Sequence, residues 1–69
     1  MCESTVYLKE GKQEKVLMKD VAAVRSQGGK LLLTSILGER LEVEAVVAEL
    51  DFMGHRIVVE GPPGSPRDR

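Results

Sequence analysis

Short segments in which apolar and polar residues alternate follow one another along most of the chain. The clearest is Leu41-Glu42-Val43-Glu44, where the apolar residues share one face and the acidic residues the other. Such alternation predicts β-strands that bury one face. We expect strands at residues 5–8, 15–18, 30–35, 41–44 and 55–60, with a further apolar segment at 21–24.

Turn-forming residues separate these segments. Gly28-Gly29 is the strongest turn signal, because two glycines between apolar segments tolerate the positive φ angles of a tight hairpin. The other predicted turns are centred on Glu10-Gly11-Lys12-Gln13, on Gly38-Glu39-Arg40 and on Asp51-Phe52-Met53-Gly54.

The segment from Ala45 to Leu50 gives a mixed signal. Its alanines and Glu49 favour a helix, whereas Val46 and Val47 favour a strand. We interpret it as strand or extended chain because its neighbours along the sequence are strands.

Five or six short strands with tight turns fit within about 60 residues. This pattern predicts an all-β domain, a small SH3-like antiparallel β-barrel or sandwich. We place that domain at residues 1–60. Residues 61–69 are rich in proline and glycine, and we expect them to form a disordered tail.

The size and charge of the chain narrow the function classes. A chain of 69 residues supports one small core, and domains of this size are often stabilised by oligomerisation, so a homodimer is expected. The formal net charge of −1 gives no overall attraction for nucleic acid. A single cysteine, with neither a signal-like start nor an apolar run of transmembrane length, predicts a cytoplasmic protein without a membrane segment.

An enzymatic role is not expected. Cys2 and His55 are the sole cysteine and histidine, so a Cys–His pair is formally available, but a barrel this small leaves little room for a substrate cleft. The carboxylates alternate with lysine and arginine along strands and turns, as on a solvated face.

Cys2 is the residue with the most distinctive chemistry. Its thiolate lies one peptide bond from the terminal amine, so the Met1 amine, the Cys2 amide nitrogen and the Cys2 sulfur can chelate one metal ion. Nickel(II) and copper(II) favour square-planar nitrogen and sulfur donors. One chain does not supply four such donors, but two copies of Cys2 in a two-fold dimer would.

Four segments of the chain form a set: the opening Met1–Leu8, then Val16–Val21, Leu33–Glu39 and His55–Glu60. Together they resemble the CooT family of small nickel-binding proteins, which are also described as predicted RNA-binding proteins. The resemblance therefore covers nearly all of the predicted domain and leaves out the proline-rich tail.

The resemblance implies an SH3-like β-barrel that dimerises and holds Ni²⁺ at the dimer interface through Cys2 of each subunit. It implies a role in nickel storage, sensing or delivery to a nickel enzyme such as carbon monoxide dehydrogenase. Cys2 is the one functional position that carries over, with Met1 supplying nitrogen when it is retained. Glu3 and His55 are candidates for additional ligands, and for His55 a turn or surface position is the better interpretation.

Two alternatives stay open at this point. A small RNA-binding barrel without a metal role would use basic residues such as Lys9, Lys15 and Arg25, although the neighbouring acids make this a weak case. A purely structural or interaction module would leave Cys2 without a function.

Overall fold

A computed structural model describes residues 4–61, and within this range every regular element is a strand. The described residues contain no helix that is long and apolar enough to cross a membrane. The predicted all-β fold is therefore confirmed. The six strands are β1 (Ser4–Glu10), β2 (Gln13–Gln27), β3 (Lys30–Ser35), β4 (Arg40–Val43), β5 (Val46–Asp51) and β6 (Arg56–Glu60).

The strands form a single sheet in the order β4-β3-β2-β1-β6-β5. Most neighbours are antiparallel, as predicted, but β1 and β6 run parallel, with Val6 opposite Ile57 and Leu8 opposite Val59. A parallel pair needs a crossover between its strands, and here the intervening four strands provide it.

The sheet curls without closing into a hydrogen-bonded cylinder. β4 and β5 lie at opposite ends of the strand order, yet only Glu44 and Ala45 separate them along the chain. Three residue steps from Val43 to Val46 reach at most about 11 Å, whereas six flat strands would be roughly 24 Å wide. The two edges must therefore approach each other, which produces the curvature of a barrel, although β4 and β5 are not paired.

The concave face of the curled sheet carries the core. Val6 and Leu33 are completely buried, and Leu8, Leu17 and Val24 pack around the cluster. The alternation along β3, where Leu31, Leu33 and Ser35 are buried, follows from the two-residue period of a strand. The buried members of this cluster are Val6, Val21, Leu31, Leu33, Ala45 and Val59.

The sequence predicted separate segments at residues 15–18 and 21–24, but in the structure both belong to one strand, β2. Lys19 and Asp20 do not end a strand; β2 continues for 15 residues and pairs with β1 in its first half and β3 in its second. Asp20 has a φ of 55°, and the register shifts between Val21 and Ala23. Aspartate tolerates this left-handed conformation better than most residues, so the strand can bend sharply without ending.

The predicted turns and the ambiguous segment can also be located. Gly28 and Gly29 form the β2–β3 turn with φ angles of 55° and 85°, as their sequence predicts. Residues 46–51 form strand β5, which agrees with the extended interpretation. Apart from Gly61, the predicted tail at 61–69 lies outside the described residues, and its disorder stays a prediction.

Candidate functional site

The predicted metal ligands Met1 and Cys2 lie outside the described residues, as does Glu3. The structure describes the surface around Ser4, where β1 begins. Ser4 pairs with Val21 of β2, and Thr5 pairs with Arg56 of β6. The first strand thus begins in the middle of the sheet, with neighbours on both sides.

His55 lies directly beside this starting point. Its carbonyl oxygen accepts a hydrogen bond of 3.0 Å from the Thr5 amide, and its side chain is exposed. It lies in the turn that precedes β6 and adopts a φ of 55°. The turn position expected for His55 agrees with the structure, although the strand begins one residue later than predicted.

The β3–β4 turn lies on the other side of β2 from the start of β1. The Ile36 amide donates to the carbonyl oxygen of Asp20 at 2.8 Å, next to the Ser4–Val21 pair. The hydroxyl oxygen of buried Ser35 accepts hydrogen bonds from the amides of Leu37 and Glu39, at 3.2 and 3.1 Å. These bonds fix a turn that holds Ile36 and Leu37 in solvent, with Leu37 79% exposed.

The β5–β6 turn lies beside the start of β1. The Gly54 amide donates to a carboxylate oxygen of Asp51 at 2.9 Å, which closes the turn. Phe52 and Met53 project from it and are 80% and 92% exposed. We call the four exposed side chains of the two turns the apolar rim, which consists of Ile36, Leu37, Phe52 and Met53.

The apolar rim is unusual for a chain of this composition. Phe52 is one of only two aromatic residues in the sequence, and it is exposed rather than buried. Two adjacent large apolar side chains exposed in each turn are candidates for an interaction surface. The sequence pattern placed Phe52 and Met53 in a turn and Ile36 and Leu37 just before one, and it indicated no role for them. The signal was available, since Phe52-Met53 and Ile36-Leu37 are large apolar pairs next to turn glycines.

The described residues do not assemble a metal centre by themselves. Between residues 4 and 61, no three histidine, aspartate or glutamate side chains lie close enough together to hold a metal ion. Glu14 and Arg56 form an ion pair, and they lie on the outer face, where the guanidinium stacks 4.9 Å from the centroid of the Tyr7 ring. The hydrogen bond and the charge of Glu14 raise the pKa of Arg56. This cluster covers Tyr7 and stabilises the sheet rather than forming an open site.

Comparison with known proteins identifies the family. The family described as CO dehydrogenase accessory protein CooT matches residues 1–60. The chain belongs to this family. The match confirms the resemblance inferred from the sequence segments and extends over the whole predicted domain.

Two relatives of the chain are informative. A crystal structure assigned to CooT from Carboxydothermus hydrogenoformans superposes with a TM-score of 0.83 at 28% identity, covering 88% of this chain and 98% of that one. An uncharacterized protein of Archaeoglobus fulgidus is 41% identical over 44 residues, which is 64% of this chain and 98% of the relative. The structural match supports the small all-β fold.

Membership in the CooT family also bears on the type of function. The family consists of accessory proteins of CO dehydrogenase, so its role is tied to the maturation of that enzyme rather than to catalysis of its own. This agrees with the sequence-based expectation of a protein that assists a client enzyme.

Proposed function

We propose that this protein binds nickel(II) for storage, sensing or delivery to a nickel enzyme such as CO dehydrogenase, in the cytoplasm and without catalysis. Two Cys2 thiolates would hold the metal at the interface of a homodimer, with nitrogen from the Met1 amine or the Cys2 amide. Family membership supports the accessory role. The donor set supports the metal, because thiolate and amide nitrogen suit nickel(II) better than they suit magnesium or calcium.

The observation that carries the dimer is the position of the apolar rim. Cys2 precedes Ser4 by two residues, and two residue steps reach at most about 7 Å. A metal bound by Cys2 would therefore lie within reach of the point where Ser4 pairs with Val21. The two turns of the rim flank that point through the Ile36–Asp20 and Thr5–His55 backbone hydrogen bonds, so two copies joined through Cys2 would bring rim residues close to the partner chain.

Metal binding and dimerisation should stabilise each other. Burying part of Phe52, Met53, Ile36 and Leu37 in each copy removes apolar surface from water, at about 25 cal/mol per Å². The metal adds bonds between the copies at the same place. Nickel affinity and dimer affinity should therefore rise together, as linkage requires.

The decisive experiment measures nickel(II) affinity and the sulfur-to-nickel charge-transfer absorption of the wild type and Cys2→Ser. We expect the wild type to bind with one nickel per two chains and the absorption band to disappear in Cys2→Ser. Equal binding by both proteins would refute the metal assignment.

A second measurement tests the rim independently of the thiol. Sedimentation equilibrium of Leu37→Asp and Met53→Asp should show a dimer weakened at least tenfold. The control is Val46→Asp, since Val46 is 50% exposed and pairs with Glu60, at the end of β6 away from the β5–β6 turn. Equal weakening in the control would show that the dimer uses another surface.

A further inference from the structure

A polar groove lies on the outer face of the part of the sheet formed by β2, β3 and β4. Its volume is about 350 Å³, which is within the range of small-ligand pockets. Within residues 4–61, its lining includes two arginines, a threonine and a glutamine, and no acidic residue. The lining residues are Ala23, Arg25, Gln27, Leu32, Thr34 and Arg40.

Strand register places the two arginines diagonally across the groove. Thr34 of β3 lies opposite Ala23 of β2 on one side and Arg40 of β4 on the other. Two residues away, Leu32 lies opposite Arg25 in the same manner. One strand therefore separates the arginines, with backbones about 10 Å apart across the sheet, a distance that two arginine side chains can close over one small ligand.

Arg25 and Arg40 differ from Arg56, the third arginine of the sheet, in their contacts. Arg56 is paired with Glu14 and stacked on Tyr7. Neither Arg25 nor Arg40 forms an ion pair with any residue between 4 and 61. The chain has a net charge of −1, so two unpaired cations in one groove are not the consequence of a basic composition.

We propose that this groove binds a small phosphate dianion, either inorganic phosphate or the phosphate group of a metabolite. Guanidinium groups match phosphate oxygens with paired hydrogen bonds, and two of them balance a dianion. Thr34 and Gln27 supply further donors from adjacent strands. A single carboxylate would leave one guanidinium without a partner.

The groove fits a small ligand better than it fits RNA. Single-stranded RNA is held largely by stacking of bases on aromatic rings. The groove has no aromatic lining, Tyr7 is covered by Arg56, and Phe52 belongs to the β5–β6 turn beyond the groove.

The test is a titration of the full chain followed by backbone amide chemical shifts, at low ionic strength and without nickel. Inorganic phosphate and glycerol 3-phosphate serve as separate ligands to distinguish a free phosphate from a phosphate ester. We expect saturable shifts centred on residues of β2, β3 and β4. Arg25→Gln and Arg40→Gln should each weaken binding at least tenfold, and Arg40→Lys should weaken it less.

Lys12→Gln is the matched control, because Lys12 carries the same charge on the exposed β1–β2 turn outside the groove. It should leave the affinity unchanged within twofold. Equal losses in Lys12→Gln and Arg25→Gln would overturn the proposal, as they would indicate a diffuse charge effect. Tighter binding of a short single-stranded RNA, with a salt dependence of more than two charges, would also overturn it in favour of nucleic acid. Neither result depends on nickel binding at Cys2.

Discussion

The amide of Thr5 donates a hydrogen bond of 3.0 Å to the carbonyl oxygen of His55, and this bond joins the start of the central strand to the β5–β6 turn. The contact involves the backbone of His55 and leaves its imidazole exposed to solvent. The imidazole therefore lies near the start of β1, which the proposed metal-binding residues precede, but the hydrogen bond that His55 makes there uses its backbone.

His55→Asn tests whether the imidazole takes part in metal binding. Asparagine adopts the left-handed conformation of His55 readily, so the turn and the bond to Thr5 should persist. Since the proposed ligands are Cys2 and Met1, we expect nickel affinity to remain within twofold of the wild type, as measured by competition with a chelator. A loss of tenfold or more in a folded variant would add His55 to the ligand set.

The left-handed conformation of Asp20 makes a prediction about stability. Its φ of 55° allows β2 to bend while its carbonyl oxygen accepts the Ile36 amide. A β-branched residue there should cost about 1–2 kcal/mol, so Asp20→Val should lower the free energy of unfolding by that amount in urea denaturation. Asp20→Asn should be nearly neutral, and so should Lys19→Val at the adjacent exposed position. A stability loss in Lys19→Val equal to that in Asp20→Val would show that conformation at residue 20 is not the cause.

Local sequence predicted those elements whose signals are local. Gly28-Gly29 specifies its turn through two positive φ angles, and the alternation in Leu41–Glu44 specifies an edge strand with one buried face. The continuity of β2 could not be predicted in this way. Lys19-Asp20 resembles a strand end, and only pairing with both β1 and β3 keeps the chain extended through it.

The surfaces depend on strand order, which local patterns do not reveal. The rim forms because β1 and β6 run parallel, so that the β5–β6 turn lies beside the start of β1. The groove forms because Arg25 and Arg40, 15 positions apart, are brought to one face by β3. The proposed metal ligand Cys2 is the opposite case, since its chemistry and the family likeness are the only signals for it.

Leu33→Ala tests how much of the fold depends on its small core. Leu33 is completely buried, and truncating its isobutyl side chain to a methyl group should cost about 2–5 kcal/mol. The whole domain has only about 3–5 kcal/mol available, so the variant should be largely unfolded by circular dichroism at 25 °C. Leu32→Ala is the matched control, because Leu32 points to the half-buried outer face and should cost about 1 kcal/mol. A native-like spectrum for Leu33→Ala would contradict the assignment of the core.

Arg56→Gln tests the cluster on the outer face. The variant loses the ion pair with Glu14 and the stacking on Tyr7, both of which are partly exposed to solvent. Surface ion pairs and exposed cation–π contacts are individually weak, so the free energy of unfolding should fall only slightly. Because the pKa of Arg56 is raised, the stabilisation from its ion pair and stacking is complete at neutral pH. It is lost only as the pH rises through the pKa of Arg56 in the folded protein. A stability difference between wild type and Arg56→Gln that vanished between pH 7 and 9 would contradict this interpretation.

Ser35→Ala tests whether the buried hydroxyl that holds the β3–β4 turn supports the proposed dimer interface. The Ser35 hydroxyl oxygen accepts the amides of Leu37 and Glu39, so alanine leaves both donors without this partner in a partly buried turn. We expect a loss of about 1–3 kcal/mol in the free energy of unfolding. The loosened turn should also hold Ile36 and Leu37 less firmly and weaken dimerisation measured by sedimentation. Ser26→Ala removes the same hydroxyl at an exposed position of β2 and should change neither quantity. Normal dimerisation by a destabilised but folded Ser35→Ala would mean that the β3–β4 turn is not part of the interface, and would leave Phe52 and Met53 to form it.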